Sequence, residues 1–320
     1  MNVDKPIKTL SDTGLHALAL ILLLASLLHP AIPWQRDLHN YLLVADVTQS
    51  MNTEDMKLDG KNVSRMAYMR HLMHDTVAAL PCGTDMSLGV FSNVNIALLF
   101  TPIEVCANYD VIEDAINHLE WRMAWHGNSR LRFGMQSANA ILQSLPEAAQ
   151  LVFFTDGDEA PKLNAINKTD LSNWQGGSDW LLVGVGGDDP MPVPKFDGDD
   201  RIMGYWSVNA MKVEPSAVLA EESAGTRDDS IATDDNDRYL SKLDEPYLKE
   251  LAQEIDASYL RAGDSGKLVE AMRRQKPAAR ATEKVGIDRL LIALAALVLL
   301  SAYWPGLMLR IRGRPARTPA

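Results

Sequence analysis

The chain has no excess of basic residues. Its 31 Lys and Arg residues are outnumbered by 42 Asp and Glu residues, which gives a formal net charge of −11 at pH 7 over 320 residues. Binding to nucleic acid requires a basic face, so this balance argues against a nucleic-acid-binding protein. It fits an acidic soluble surface or a cationic partner. Cysteine is also scarce, with two occurrences, Cys82 and Cys106.

Motifs of three enzyme classes are absent or incomplete. The GxSxG elbow of serine hydrolases does not occur in the sequence. The glycines at 184–187 lead into Asp188, Asp189 and Pro190, so they do not form the GxGxxG turn of a dinucleotide site. A phosphatase of the haloacid dehalogenase type needs a second Asp two residues after the first, where this chain has Thr48. These absences argue against the three classes.

Short apolar runs alternate with segments of helical periodicity along most of the chain. Tyr41–Ala45, Leu151–Thr155 and Trp180–Val185 are continuous apolar runs, which are typical of strands buried on both faces of a parallel sheet. The pattern between them predicts helices at 64–80, 109–119, 131–145 and 245–255, and a short last strand at 258–260. This alternation predicts an α/β fold with a doubly wound, mostly parallel sheet.

Two short strands are predicted to form a hairpin at one edge of that sheet. Met86–Phe91 and Ile96–Phe100 are separated by four residues that suit a turn, Ser92–Asn95, three of which are polar. Strands joined by so short a connection must run antiparallel. The sheet is therefore expected to carry one antiparallel edge strand.

The stretch from Asp188 to Arg238 interrupts this alternation. It is rich in Asp, Pro and Gly and is predicted to be an acidic insertion before the last helix, with a hairpin at 193–206 around Asp197–Gly198. Its Asp clusters could hold calcium, but their spacing matches no EF-hand loop. A solvated surface loop is the favoured prediction.

Long apolar segments flank the α/β region on both sides. Gly14–Ile32 and Leu290–Leu309 each have about the 20 residues that a helix needs to cross a membrane. The first segment is alternatively a cleaved signal peptide, although no small-x-small cleavage site follows it. Two membrane anchors are the favoured prediction.

The basic tail sets the predicted orientation in the membrane. Four arginines follow the second segment, at positions 310, 312, 314 and 317, so the positive-inside rule places both termini in the cytoplasm and the domain in the periplasm. In a bacterial inner membrane the predicted order begins with a cytoplasmic N-terminus (1–13), a transmembrane helix (14–33) and a periplasmic domain (34–265) that contains the acidic insertion (188–238). A juxtamembrane segment (266–286), in which residues 267–274 are predicted to start a helical approach, then leads to a second transmembrane helix (287–309) and a cytoplasmic tail (310–320).

Hard oxygen donors follow two of the buried strands. Asp46, Thr48 and Ser50 come directly after the first strand, and Asp156 comes directly after the strand that ends at Thr155. Carboxylates and hydroxyls are donors that Mg²⁺ prefers. The carboxyl ends of parallel strands meet at one edge of a sheet, where ligands bind at the topological switch point. An Asp-rich turn alone is often only a helix cap, but two such positions together predict a metal site.

These residues resemble the metal-ion-dependent adhesion site of von Willebrand factor A (vWA) domains. The family pattern is DxSxS, a Thr in a later loop and an Asp after the fourth strand. Asp46, Thr48 and Ser50 match the first part and Asp156 the last, while Ser129 stands for the Thr, with Asn128 as its competitor. The resemblance implies bound Mg²⁺, or alternatively Mn²⁺ or Ca²⁺, whose open position accepts an Asp or Glu of a partner protein.

Two narrower resemblances concern the biological role. The stretch Ser241–Leu260 resembles membrane-anchored bacterial vWA proteins of the Bat type, which implies a stress or aerotolerance scaffold. The stretch Leu80–Trp125 is similar to accessory proteins of methanol-oxidation gene clusters, the MxaL type. This second resemblance implies a role in the assembly or activation of a periplasmic quinoprotein methanol dehydrogenase, and is the favoured prediction.

A metal-assisted hydrolase is the competing class of function. It would need a general base or nucleophile beside the metal, and no His or Cys lies near these residues in the sequence. Glu159 is a candidate base in principle but is expected to be a cap or a solvated charge. His71 and His74 could bind zinc as a helical pair, but with no third ligand they are expected to be exposed helix residues. A binding module rather than an enzyme is therefore predicted.

The two cysteines are predicted to form a disulfide. Opposed residues of an antiparallel hairpin have a constant index sum, which a turn centred near residue 94 sets at about 188. Cys82 and Cys106 sum to that value, so they should lie opposite each other at the open end of the hairpin. A periplasmic domain would be oxidised, whereas a cytosolic domain would keep two free thiols.

Overall fold

The computed structural model describes residues 12–124, 129–160, 162–164, 168–171, 177–211 and 230–312. Two compact units are present: residues 37–279 form one, and the segments on either side of it form the other. Asn128, the middle of the acidic insertion (212–229) and the ends of the predicted cytoplasmic segments lie outside the described residues.

The elements within the described residues are numbered in chain order. The helices are α1 (Asp12–Ser26), α2 (Arg65–Ala79), α3 (Tyr109–Asn117), α4 (Leu131–Ser144), α5 (Glu245–Glu254), α6 (Ser265–Arg274) and α7 (Asp288–Arg312). The strands are β1 (Ala31–Leu38), β2 (Tyr41–Asp46), β3 (Met56–Leu58), β4 (Lys61–Val63), β5 (Asp85–Ser92), β6 (Asn95–Glu104), β7 (Gln150–Thr155), β8 (Trp180–Gly184), β9 (Met191–Pro192), β10 (Pro194–Phe196), β11 (Ile202–Tyr205), β12 (Leu240–Ser241), β13 (Ser258–Arg261) and β14 (Ala279–Gly286).

A six-stranded sheet organises the larger unit. Its strand order is β13-β8-β7-β2-β5-β6. All neighbours pair in parallel except β5 and β6, which form the predicted antiparallel hairpin at one edge. The chain starts this sheet at β2, continues to β5 on one side and later returns to β7 on the other. The topological switch point therefore lies between β2 and β7.

Helices cover both faces of this sheet. In β2, Leu43 and Ala45 face one apolar layer and Leu42 and Val44 face the other. Because alternate residues of a strand point to opposite faces, the uninterrupted apolar run in β2 requires cover on both sides. One layer is closed by α2, α3 and α6, and the other by α4 and α5.

The larger unit extends further than the predicted boundary at residue 265. Leu268 and Met272 of α6 are buried in the core layer that also contains Met69. The predicted helix at 267–274 is present in α6, but it does not lead to the second apolar segment, because α6 packs on the domain and the strand β14 separates it from α7. The amphipathic spacing in α6 reflects burial against the sheet.

The smaller unit contains α1, α7 and the paired strands β1 and β14. The helix α1 ends at Ser26, earlier than the predicted 14–33, because His29 adopts a positive φ of 45° and Pro30 follows it. A residue before proline is disfavoured in the helical region. The second predicted segment is helical throughout as α7. Among the helical residues that the structure describes, no run is both long and apolar enough to span a membrane.

The described part of the insertion is folded. The strands β10 and β11 form the predicted antiparallel hairpin, and β9 pairs with β12. Val193, Trp206 and Ala210 are buried together, with Tyr239 packed against them. The prediction of a solvated surface loop is therefore wrong for these residues, because their apolar side chains form a small core of their own.

Cys82 and Cys106 are joined by a disulfide, with their Cα atoms 5.2 Å apart. The ladder of β5 and β6 starts with Ser92 opposite Asn95, an index sum of 187. Two irregularities raise the sum to 189 at the pair Asp85 and Glu104. The constant sum of 188 in the sequence argument is thus an average over a bulged hairpin, and the cysteines lie just beyond the ladder.

Removing this disulfide by the double substitution Cys82→Ser, Cys106→Ser is expected to lower the free energy of unfolding by about 3 kcal/mol. The bridge closes a loop with a sequence separation of 24 residues and so restricts the unfolded chain. Urea unfolding of the oxidised wild type, the reduced wild type and the variant measures this loss. The reduced protein should match the variant, and equal midpoints for oxidised and reduced protein would contradict the prediction.

Candidate metal centre

Asp46 and Asp156 meet at the switch point of the sheet. Asp46 is the last residue of β2, and Asp156 directly follows β7. The two strands are parallel neighbours with Ala45 opposite Phe154, so both carboxylates emerge at the same edge. Both residues are fully buried. The sheet thus brings together two Asp residues that are far apart in the sequence.

The residues after Asp46 fold into a turn that surrounds its carboxylate. Thr48 donates twice to Asp46 Oδ1, from its backbone N at 2.9 Å and from its Oγ1 at 2.6 Å. Thr155 Oγ1 donates to Asp46 Oδ2 at 2.7 Å. Ser50, within a short 3-10 helix at Gln49–Asn52, places its Oγ 3.4 Å from Thr48 Oγ1. The predicted carboxylate and hydroxyls therefore form one cluster.

Ser129 reaches the same place from another loop. It bridges Asn93, in the turn of the β5–β6 hairpin, and Ala160, whose backbone N donates to Ser129 O at 2.8 Å. A crevice opens between these loops and the end of the sheet. Its lining comprises Thr48, Gln49, Ser50, Ser129, Asp158, Ala160 and Tyr239. Three of the predicted ligands, Thr48, Ser50 and Ser129, thus line a common crevice.

The carboxylate of Asp46 has only neutral hydrogen-bond donors. Within the part of the chain that the structure describes, no Lys or Arg forms an ion pair with it. Burial, followed by the charge of Asp156, raises the pKa of Asp46 from 3.8 to about 7. A buried carboxylate without a countercharge favours binding a proton or a cation.

Asp156, in contrast, has a cationic partner that the sequence argument missed. Arg65 Nη1 lies 2.6 Å from Asp156 Oδ2, and both side chains are fully buried. The same guanidinium contacts Asp55 Oδ2 at 2.7 Å through Nη2 and donates to Ser241 Oγ at 2.9 Å. Burial raises the pKa of Asp156, while Arg65 opposes that shift. One signal was available: Arg65 opens α2, where a cation opposes the helix dipole.

Asp158 and Glu159 are buried on the same loop as Asp156. Asp158 Oδ1 accepts a hydrogen bond from Tyr239 OH at 2.7 Å and pairs with Lys162. Glu159 Oε1 accepts from Tyr247 OH at 2.6 Å, and burial raises the pKa of Glu159 to about 7. Of the two roles expected for Glu159, a cap or a solvated charge, the structure shows the cap: the carboxylate is buried and accepts backbone hydrogen bonds from Leu131 and Arg132 at the start of α4.

Gly157 allows this loop to turn between two aspartates. Its φ is +74°, a conformation that residues with a Cβ rarely adopt. A Cβ at this position would lie 2.8 Å from Leu248 Cγ. Glycine is therefore required both by the turn and by the close packing of α5 against it.

The two histidines take no part in the crevice. His71 is exposed on α2, as expected, and lies 3.8 Å from Asp75. His74 is partly buried, with Nδ1 2.6 Å from Glu113 and Nε2 2.9 Å from Asn117. Both ring nitrogens of His74 therefore serve the contact between α2 and α3.

The chemistry of the crevice fits a hard divalent cation. Its donors are carboxylate and hydroxyl oxygens, which suit Mg²⁺ better than softer metals. Asp46 supplies a buried carboxylate in contact with the hydroxyl of Thr48, which in turn lies next to the hydroxyl of Ser50. The residues present therefore fit the cation that the sequence pattern implies.

Comparison with known proteins agrees with this geometry. Residues 41–159 match the family model of the von Willebrand factor type A domain. The chain carries a vWA domain. The match begins at the first residue of β2 and ends at Glu159, so it contains Asp46, Ser129 and Asp156. No curated protein matches the chain in sequence.

Two solved structures are similar to this chain. The conserved hypothetical protein BatB from Bacteroides thetaiotaomicron is 14% identical, with a TM-score of 0.50 over 74% of this chain and 96% of that one. An aerotolerance-related membrane protein from Bacteroides fragilis is 16% identical, with a TM-score of 0.47 over 74% of this chain and 98% of that one. At such identities the likeness concerns the fold alone.

Proposed function

We propose that this protein is a membrane-anchored binding module whose vWA crevice holds Mg²⁺ and, through it, an acidic side chain of a partner protein. The observation that carries the proposal is the carboxylate of Asp46, which is fully buried and has no cationic partner among the described residues. A divalent cation at the neighbouring hydroxyls would neutralise this charge. Thr48, Ser50 and Ser129 would hold it from three sides of the crevice.

The charge of the ligand set favours binding over hydrolysis. The hydroxyls are neutral and Asp156 is paired with Arg65, so a cation in the crevice would keep part of its positive charge. Such a cation attracts a carboxylate from a partner. The described residues that line the crevice include no His or Cys to act as a general base or nucleophile.

The smaller unit supports a membrane anchor. Its helices α1 and α7 pack on each other, with the small residues Ala19 and Ala295 buried. Large apolar side chains around them are exposed, among them Leu20, Ile21, Leu28, Leu290, Leu297 and Leu300. Exposed apolar side chains of this size and number favour contact with lipid over contact with water. The disulfide and the arginine-rich tail support a periplasmic placement of the vWA domain.

The partner to test first is a periplasmic quinoprotein methanol dehydrogenase or one of its assembly factors, on the resemblance of residues 80–125 to methanol-oxidation accessory proteins. A Bat-type scaffold is the second candidate, supported by the resemblance of Ser241–Leu260. The two candidates share the metal-dependent crevice and differ in the partner. Growth on methanol of a strain that lacks the gene distinguishes them, because only the first predicts a defective dehydrogenase.

Capture of partners by the full-length protein tests the metal-dependent crevice. Tagged wild type, Asp46→Asn and the control Asp114→Asn are solubilised from membranes with Mg²⁺ or with EDTA. Asp114 is exposed on α3, so its substitution removes an equal charge away from the crevice. A specific partner should be retained by the wild type and the control in Mg²⁺ and be lost in EDTA and with Asp46→Asn. Identical captured proteins under all conditions would contradict the proposal.

A further inference from the structure

Both carboxylate oxygens of Asp156 accept hydrogen bonds from groups that fix its loop. Its Oδ2 is held by Arg65 Nη1 at 2.6 Å, and its Oδ1 accepts from the backbone N of Asp158 at 2.9 Å. Ser50 adds a further hydrogen bond to this carboxylate. Its contacts are those of a residue that fixes the loop.

Asp158 differs from Asp156 because it lines the crevice and has one carboxylate oxygen without a hydrogen-bond partner among the described residues. It lines the crevice together with Thr48, Ser50 and Ser129, although it is only 3% exposed. Its Oδ1 is satisfied by Tyr239 and Lys162, whereas its Oδ2 is buried and finds no hydrogen-bond partner among the described residues. Leaving a buried acceptor unsatisfied destabilises a protein by about 1–3 kcal/mol, and more if it is charged. A cation in the crevice would supply the missing partner.

We propose that Asp158, rather than Asp156, is the second acidic ligand of the cation, and that Asp156 acts as a positioning residue held by Arg65. This inference rests on the proposed function, because it assigns a ligand to the same cation. The ligand set then draws one carboxylate from the β2 turn, Asp46, and one from the loop after β7. The hydroxyls of Thr48, Ser50 and Ser129 complete the protein side.

This assignment connects the insertion with the metal crevice through Tyr239. Tyr239 packs on the small core of the insertion and donates its hydroxyl to Asp158 Oδ1. That hydrogen bond fixes the rotation of the carboxylate and leaves Oδ2 as the oxygen without a partner. Lys162, which is largely exposed, contacts the same Oδ1 from the solvent side. The folded insertion thus orients a ligand of the metal crevice.

Mn²⁺ titration of the detergent-solubilised full chain, followed by electron paramagnetic resonance, tests the assignment. Asp158→Asn keeps the shape of the side chain and an acceptor for Tyr239 but removes the charge. It is expected to weaken Mn²⁺ binding by at least about tenfold, the lower end of what even an indirect contact to a metal contributes. Asp156→Asn is expected to weaken binding less than Asp158→Asn, while it lowers the thermal stability in EDTA because Arg65 loses a partner.

Asp114→Asn is the matched control. It removes an equal charge from the exposed face of α3, so its Mn²⁺ affinity should equal that of the wild type. If Asp158→Asn bound Mn²⁺ with the affinity of the wild type, the assignment of Asp158 as a ligand would be overturned, while the proposed metal-dependent function would stand. An Asp158→Asn protein that is unfolded in EDTA would also overturn it, since the charge would then serve the fold. A wild type that binds no Mn²⁺ would overturn both the assignment and the proposed metal-dependent function.

Discussion

In metal-free buffer, the variant Asp46→Asn is expected to be more stable than the wild type at pH 8 and to lose most of this advantage at pH 4. The pKa of Asp46 is raised from 3.8 to about 7 in the folded protein, mainly by burial. The folded chain therefore holds a proton that the unfolded chain releases. Asp46 supports the fold below its ordinary pKa, and this support is lost as the pH rises through about 7.

The size of the effect follows from the shift in pKa. A rise of this size in the pKa corresponds to a loss on the order of 4 kcal/mol in the stability of the wild type between pH 4 and pH 8. Asparagine resembles the protonated carboxyl and carries no such dependence. Urea unfolding of both proteins at pH 4, 6 and 8 measures the difference. Parallel pH profiles would show that Asp46 is not the buried charge that the geometry indicates.

The substitution Arg65→Met is expected to lower the free energy of unfolding by about 3–5 kcal/mol, the usual loss when one partner of a buried ion pair is removed. It leaves Asp156 and Asp55 buried without their cation. Arg70→Met on the same helix is the matched control, because Arg70 donates to the backbone oxygens of Asn117 and Leu119 and has no carboxylate partner among the described residues.

Chemical unfolding of the two variants and of the double variant Arg65→Met, Asp156→Asn provides the measurement. The double variant should recover part of the lost stability, since it removes one of the stranded charges. Arg65→Lys should fall between wild type and Arg65→Met, because an ammonium cannot reproduce the forked contacts of the guanidinium. A loss for Arg65→Met no larger than that for Arg70→Met would contradict the role of Arg65 as the internal countercharge.

The sheet and the positions of Asp46 and Asp156 follow from the sequence for a physical reason. A run such as Tyr41–Ala45 is apolar at every position, so it needs cover on both faces and hence a central parallel strand. Parallel strands end at a common edge, which brings the residues after them together without further information. The hydroxyls of Thr48 and Ser50 follow from the same local turn.

The sequence did not reveal which side chains contact the acidic residues of the crevice. Arg65 lies 91 residues before Asp156 in the sequence, and no periodicity links them. Tyr239 directly follows an insertion whose composition indicates a solvated loop, because its charged residues outweigh the few apolar ones that form its core. Asp158 was overlooked because alternate acidic residues in a loop carry no signal of which one faces the crevice.

Calorimetric titration of Mg²⁺ into the full-length protein at pH 8 and pH 6 tests the central claim most directly. The wild type should bind one cation per chain, more weakly at pH 6, where protonation of Asp46 competes with the metal. Asp46→Asn should show no binding at either pH. Absence of binding by the wild type at pH 8, or binding that Asp46→Asn leaves undiminished, would contradict a cation site at this crevice.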